Sequence, residues 1–180
     1  VLVLVLNGPI NAGKTTTGQA LADLLDGAAF IDGDDHDAPD NAPLEQRFEA
    51  SFVRIEQLIA TTLASIVVVA VPLRDADYHR LLIAAAARGA ALRVVTLAPP
   101  PAIAFIDRGN RPLSPGEVER TRQMHEEGYA SRPFSDLIVT DMAGPRATAA
   151  VIARSLQLPA DARQPSTGVF PLDPHPQAAT

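Results

Sequence analysis

Apolar residues fill positions 1–6 without interruption, as VLVLVL, and the run stops at Asn7-Gly8-Pro9. A continuous apolar run this short, closed by turn residues, predicts a strand covered on both faces, as in parallel sheets. The period then changes. From Thr15 to Asp26, the residues Ala20, Leu21, Leu24 and Leu25 fall on one face of a helix that Gly27 is placed to end. AAFID at 28–32 reads as a second strand. From Leu44 onward Phe48, Phe52, Ile55, Ile59 and Leu63 recur at helical spacing, and IVVVAV at 66–71 returns as a β-branched strand closed by Pro72.

The alternation continues with a helix over Ala76 to Arg88 stopped by Gly89, a strand at LRVVTL, and a short helix near Ala102 to Asp107. Ser114-Pro115-Gly116-Glu117 combines an N-cap, a proline at the first helical position and a capping-box glutamate, so a helix starts there and runs towards Gly128. DLIVT is a fifth strand, and Pro145 opens a last helix to about Leu156. Strands alternating with helices imply right-handed crossovers and an α/β fold, a five-stranded parallel sheet with helices on both faces. Ligands in such folds gather beyond the carboxyl ends of the strands. Pro159, Pro165, Pro171, Pro174 and Pro176 punctuate a tail without apolar periodicity, so residues 159–180 are expected to be disordered or draped over a domain spanning 1–158.

Composition narrows the partners. A chain of 180 residues with 47% hydrophobic content suits one compact domain. Its 15 Lys and Arg against 21 Asp and Glu give a net charge of −6, the wrong sign for a protein that grips a nucleic-acid backbone, and a small diffusible substrate fits better. Cysteine is absent, which removes disulfides, thiolate metal sites and cysteine nucleophiles. VLVLVL lacks the basic leader of a signal peptide, and no apolar run approaches the roughly 18 residues of a membrane span. The expectation is a soluble, cytoplasmic protein with no membrane or nucleic-acid partner.

The candidate chemistry follows the strands. After the first, Gly8-Pro9-Ile10-Asn11-Ala12-Gly13-Lys14-Thr15 fits G-x-x-x-x-G-K-[ST], the phosphate-binding P-loop. In that motif the backbone from Gly8 through Asn11, Ala12 and Gly13 to Thr16 cradles anionic oxygens at a helix N-terminus. Lys14 reaches the β- and γ-phosphates, and Thr15 ligates Mg²⁺. After the second strand, IDGDDHD puts Asp32 and Asp34 two residues apart, on one side if the extended conformation continues. Beside a polyphosphate, one carboxylate can orient the water ligands of Mg²⁺ and the other can accept the proton of an attacking hydroxyl. After the third strand, Arg74 is placed either to hold an anionic or polar part of an acceptor or, equally, to stand as a solvated arginine at a helix start. Arg108, Arg111, Arg120 and Arg122 surround a Gly- and Pro-containing stretch whose composition suits a mobile lid, with Arg120 and Arg122 equally readable as surface charges. His36, His79 and His125 are scattered over different elements and read as surface or substrate-contact residues.

These residues together resemble the small P-loop kinases grouped around shikimate kinase, gluconate kinase, adenylylsulfate kinase and chloramphenicol phosphotransferase, over roughly residues 1–158. FIDGDD is similar to the D-x-D of shikimate kinases and the L-D-G-D of gluconate and adenylylsulfate kinases, a likeness that implies Asp32 near Mg²⁺ and Asp34 facing the acceptor. VVVAVPLRDADYHRLL looks like the third-strand segment of gluconate kinases. DRGNRPL resembles the lid of shikimate and related kinases, which implies Arg108 stacking on adenine and Arg111 reaching the γ-phosphate. DLIVTDMAGP looks like the final strand and adenine loop. The resemblance implies strand order 2-3-1-4-5. Val71-Pro72-Leu73 stands where shikimate kinases carry a glycine triplet, which argues against shikimate as acceptor, and no carboxylate ends the third strand, which leaves Asp32 to serve the metal alone.

The expected activity is ATP- and Mg²⁺-dependent phosphorylation of a hydroxyl on a small molecule, a metabolite or an antibiotic, with Lys14, Asp34 and Arg111 as catalytic residues. A nucleoside or nucleotide kinase, and a nucleotide-binding module that transfers nothing, are the alternatives.

Overall fold

The structure is a computed structural model and describes residues 1–39, 41–106, 112–141 and 143–159. Its strands are β1 (Leu2–Asn7), β2 (Ala28–Asp32), β3 (Ile66–Ala70), β4 (Ala91–Leu97) and β5 (Leu137–Val139). The helices are α1 (Lys14–Leu24), α2 (Leu44–Thr61), α3 (Asp75–Ala87), α4 (Pro101–Ala104), α5 (Pro115–Glu126) and α6 (Pro145–Ser155). The five strands form one parallel sheet in the order β2-β3-β1-β4-β5, with β1 central between β3 and β4.

The unbroken apolar runs are explained by what covers the sheet. Side chains alternate between faces along a strand. Val3 and Val5, with Val67, Val69 and Val94, pack on Phe52, Ile55 and Ile59 of α2 and Leu81 and Ala85 of α3. Leu4 and Leu6, with Val68, Val95 and Leu97, pack on Leu21 of α1 and Ala149, Ile152 and Ala153 of α6. Both faces of β1 are dry, so neither parity of its sequence carries a polar residue until Asn7.

Element ends differ from the sequence expectation in physically legible ways. β1 runs on to Asn7, whose side chain is fully buried and hydrogen-bonded. Leu63 does not extend the apolar face of α2; the helix ends at Thr61 and Leu63 is fully exposed. Arg88 closes that corner instead, donating to Ile59 O at 2.7 Å and to Ala64 O at 2.6 Å. β5 has only three residues, because at this edge Asp136 folds its carboxylate onto the Val94 amide, 2.7 Å away. α4 ends at Ala104, short of the expected Asp107. At α5 the capping box forms as expected, with Glu117 N donating to Ser114 Oγ and Ser114 N to Glu117 Oε2. Among the described residues no helix is long and apolar enough to cross a membrane. Most of the proline-rich tail, from 160 onward, lies outside the described residues.

Candidate active site

The chain leaves β1 directly into the phosphate loop. Gly8 has φ 143, and a Cβ there would stand 2.4 Å from Leu97 O of the neighbouring strand, so only glycine lets the loop turn upward against β4. Asn11 (φ 60) and Gly13 (φ 84) then take left-handed conformations, and α1 starts at Lys14. The first helical bond of α1 runs from Thr17 N to Gly13 O. The amides of Lys14, Thr15 and Thr16 therefore point out of the helix N-terminus, where anions bind.

Lys14 folds over this loop, with Nζ donating to Pro9 O at 2.8 Å. Burial lowers its pKa from 10.5 to about 8, while the carboxylates of Asp34 and then Asp32 pull the other way. The lysine thus sits between a hollow built for anions and the acidic loop after β2.

That loop is not the extended strand its spacing suggested. Gly33 and Asp34 turn, Asp34 N donates to Asp32 Oδ1 at 3.2 Å, and Asp35 N to Asp32 O at 3.3 Å. The two carboxylates are brought to one region by this turn, because the Asp32 side chain offers the backbone a local partner that competes with continued pairing. Gly33 N donates to Ala70 O at 2.9 Å, and a Cβ on Gly33 would lie 2.5 Å from that oxygen and 2.7 Å from Val71 Cβ. Close packing on β3 therefore holds the turn and the Asp34 that follows it. The Thr15 hydroxyl points towards Asp32 at 3.5 Å, and burial, first among its causes, raises the Asp32 pKa.

A cleft of about 710 Å³ connects these parts. It runs from Gly144 and Pro145 at the start of α6, past Asn11, Lys14 and Thr15, to Asp34 and Pro72 beyond β2 and β3, with Leu113 and Glu117 on the α5 side. Arg74 stands apart from this lining. Its guanidinium pairs with Asp77, at 2.9 and 3.2 Å, and lies 4.7 Å over the Phe48 ring, with half of its side chain exposed. Arg120 pairs with Glu127 at 2.7 Å and Arg122 with Glu119, so both are engaged by α5 and its C-cap. Arg108 and Arg111 lie outside the described residues. Three histidines lie among the described residues and are dispersed: His36 Nδ1 meets Ala38 O, His79 Nδ1 meets Asp75 O, and His125 packs against Phe105.

No protein-family model matches the chain, and no curated protein matches it. Its fold is shared by solved structures of kinases. A sugar kinase from Janibacter sp. HTCC2649 superposes with a TM-score of 0.64 at 18% identity, over 88% of this chain and 95% of the other. The chain shares the fold of these kinases, a five-stranded parallel sheet in the order 2-3-1-4-5. A gluconokinase from Sinorhizobium meliloti 1021 gives 0.62 at 20% identity over 87% and 95%, and the tunicamycin resistance protein of Deinococcus radiodurans gives 0.61 at 21% over 88% and 97%.

Within this fold, three residues that line or support the cleft were not singled out as such in the sequence. Gly33 was passed over between the two aspartates, and its packing on β3 depends on a strand that follows 33 residues later. Glu117 read only as a helix cap, although it also lines the cleft. Asn7 read as the end of an apolar run. Its side chain accepts from Leu73 N at 2.9 Å and donates to Thr96 Oγ1 at 2.9 Å and Tyr129 O at 3.2 Å, joining the base of the phosphate loop to β4, to the exit of β3 and to the segment after α5. A polar residue ending an otherwise apolar buried run is the one signal that pointed to it.

Proposed function

We propose that this protein transfers the γ-phosphoryl group of ATP to a hydroxyl group of a small molecule, a metabolite or an antibiotic. The observation that carries this reading is the continuity of one cleft from the start of α6, along the phosphate loop, to Asp34. A nucleotide laid with its base near Gly144 and Pro145 and its phosphates on the amides of Lys14, Thr15 and Thr16 directs its terminal phosphoryl towards the acidic loop. The acceptor then occupies the space beside Asp34 and Pro72.

The oxygen donors Thr15 Oγ1 and Asp32 fit Mg²⁺, which typically keeps several waters and takes one or two protein oxygens alongside substrate phosphates. When bound, Mg²⁺ neutralises charge on the phosphate oxygens. Among the described residues no three His, Asp or Glu side chains converge as a metal cage, consistent with that open form of ligation. Lys14 exchanges its bond to Pro9 O for the phosphate oxygens and supplies a point charge where negative charge accumulates. Asp34 takes the proton of the acceptor hydroxyl. The hydroxyl oxygen bonds to the γ-phosphorus as the bond to the β–γ bridging oxygen breaks, and ADP leaves with that electron pair. Arg111, outside the described residues, is assigned to the γ-phosphate by the sequence resemblance of DRGNRPL.

A screen of ATP consumption against pooled hydroxyl compounds tests the reading, with Lys14→Ala as the blank. Acceptor-stimulated turnover supports it. Transfer confined to nucleosides or nucleoside monophosphates would make the protein a nucleoside or nucleotide kinase, and tight nucleotide binding with no stimulated turnover would make it a binding module.

A further inference from the structure

Asn11 occupies a left-handed conformation, φ 60, in which glycine is the least strained choice. Asparagine tolerates this region and adds what glycine lacks, a side-chain amide. That amide leaves the phosphate loop: Nδ2 donates to Ala104 O at 2.9 Å and to Ile106 O at 2.9 Å. α4 comprises only Pro101–Ala104, and the phosphate loop donates to the carbonyl of its last residue, which has no intrahelical partner, and to that of Ile106 two residues further on, from 93 and 95 residues away. The same residue lines the cleft beside Lys14. One side chain therefore belongs at once to the phosphate hollow and to the carboxyl end of α4.

We propose that Asn11 is a positioning residue that couples the phosphate site energetically to α4. Through its two hydrogen bonds α4 holds the loop in the shape that receives a polyphosphate, and a bound polyphosphate in turn stabilises the end of α4. This rests on the nucleotide-binding reading of the cleft. Linkage requires the two effects to be equal: whatever factor α4 contributes to nucleotide affinity, nucleotide returns to the stability of α4.

The test compares the wild-type chain with Asn11→Gly, which preserves the left-handed conformation and removes only the amide. Asn11→Ser, whose side chain is too short to reach both carbonyls, is the second variant. Two quantities are read: Mg·ADP affinity by titration calorimetry, and amide hydrogen exchange at Ala104 and Phe105, whose N–H groups bond to Pro100 O and Pro101 O, with and without Mg·ADP. Coupling in the usual range predicts an affinity loss of about tenfold in both variants. In the wild type Mg·ADP slows exchange at these two amides by a similar factor, and in the variants that slowing disappears. A merely structural role would lower the melting temperature without abolishing the ligand-dependent protection. Affinity within twofold of wild type in both variants, or undiminished protection by Mg·ADP, overturns the coupling while leaving the nucleotide site intact. A wild-type chain that binds no Mg·ADP overturns the reading of the cleft and the coupling with it.

Discussion

Lys14 offers the sharpest quantitative test, because its protonation links the empty and filled states of the cleft. Burial holds its pKa at about 8 in the free protein, against an ordinary value of 10.5. A polyphosphate beside it favours the charged form and moves the pKa back up. Binding must then take up the protons that the free protein has released: about half a proton per nucleotide at pH 8 and about a tenth at pH 7. The affinity for Mg·ADP should accordingly fall with rising pH above about 8, approaching tenfold per pH unit. Calorimetry of Mg·ADP binding at pH 8, repeated in two buffers of different ionisation enthalpy, measures the uptake directly, and Lys14→Met should abolish it. The nucleotide phosphates are already fully ionised at pH 8 and contribute little. In the free protein the same group sets a second sign. Between about 8 and 10.5 the unfolded chain binds the proton that the folded one has lost, so this term raises stability as pH climbs through the window and is lost as pH falls through 8. No measurable uptake at pH 8, or uptake that persists in Lys14→Met, would refute the placement of Lys14 on the phosphates.

The remaining predictions concern the acidic turn and the hub beneath it. Asp34→Asn should lower turnover by roughly 10²–10⁴ with Mg·ATP affinity within a few-fold, whereas Asp32→Asn should weaken metal or nucleotide binding and be eased by raised Mg²⁺; a Mg²⁺ titration of both variants that interchanges these behaviours reverses the roles. Gly33→Ala places a Cβ 2.5 Å from Ala70 O and must shift the turn, so turnover should fall more than nucleotide affinity, and wild-type turnover would show that this contact does not position Asp34. Asn7→Ala leaves Leu73 N and Tyr129 O short of a buried partner, while Thr96 Oγ1 keeps Ser135 Oγ, and should cost about 3 kcal/mol, read as a drop of roughly 6–12 °C in melting temperature.

How far the sequence determined this protein can be judged element by element. The two-faced strands were legible because a strand covered on both sides has no polar parity, and VLVLVL and IVVVAV show none. The helix starts at Ser114 and Pro145 and the phosphate loop were legible for a related reason: caps and glycine-framed turns are local, so their chemistry is written within four to eight residues. The turn at Gly33 was not, because the spacing of Asp32 and Asp34 fits an extended strand as well, and the Ala70 carbonyl of β3 and the Val71 side chain just past it help decide between them. Arg74 was assigned to an acceptor by its place after β3, and the fold gives it Asp77 and the Phe48 ring as partners. The hub at Asn7 and the bridge from Asn11 to α4 join residues between 66 and 122 positions apart. Residue types and local periods set which elements form and where phosphate chemistry belongs. Which polar atoms meet across those elements is decided only when chain closure brings distant backbone groups within hydrogen-bond reach, and no local pattern records that distance.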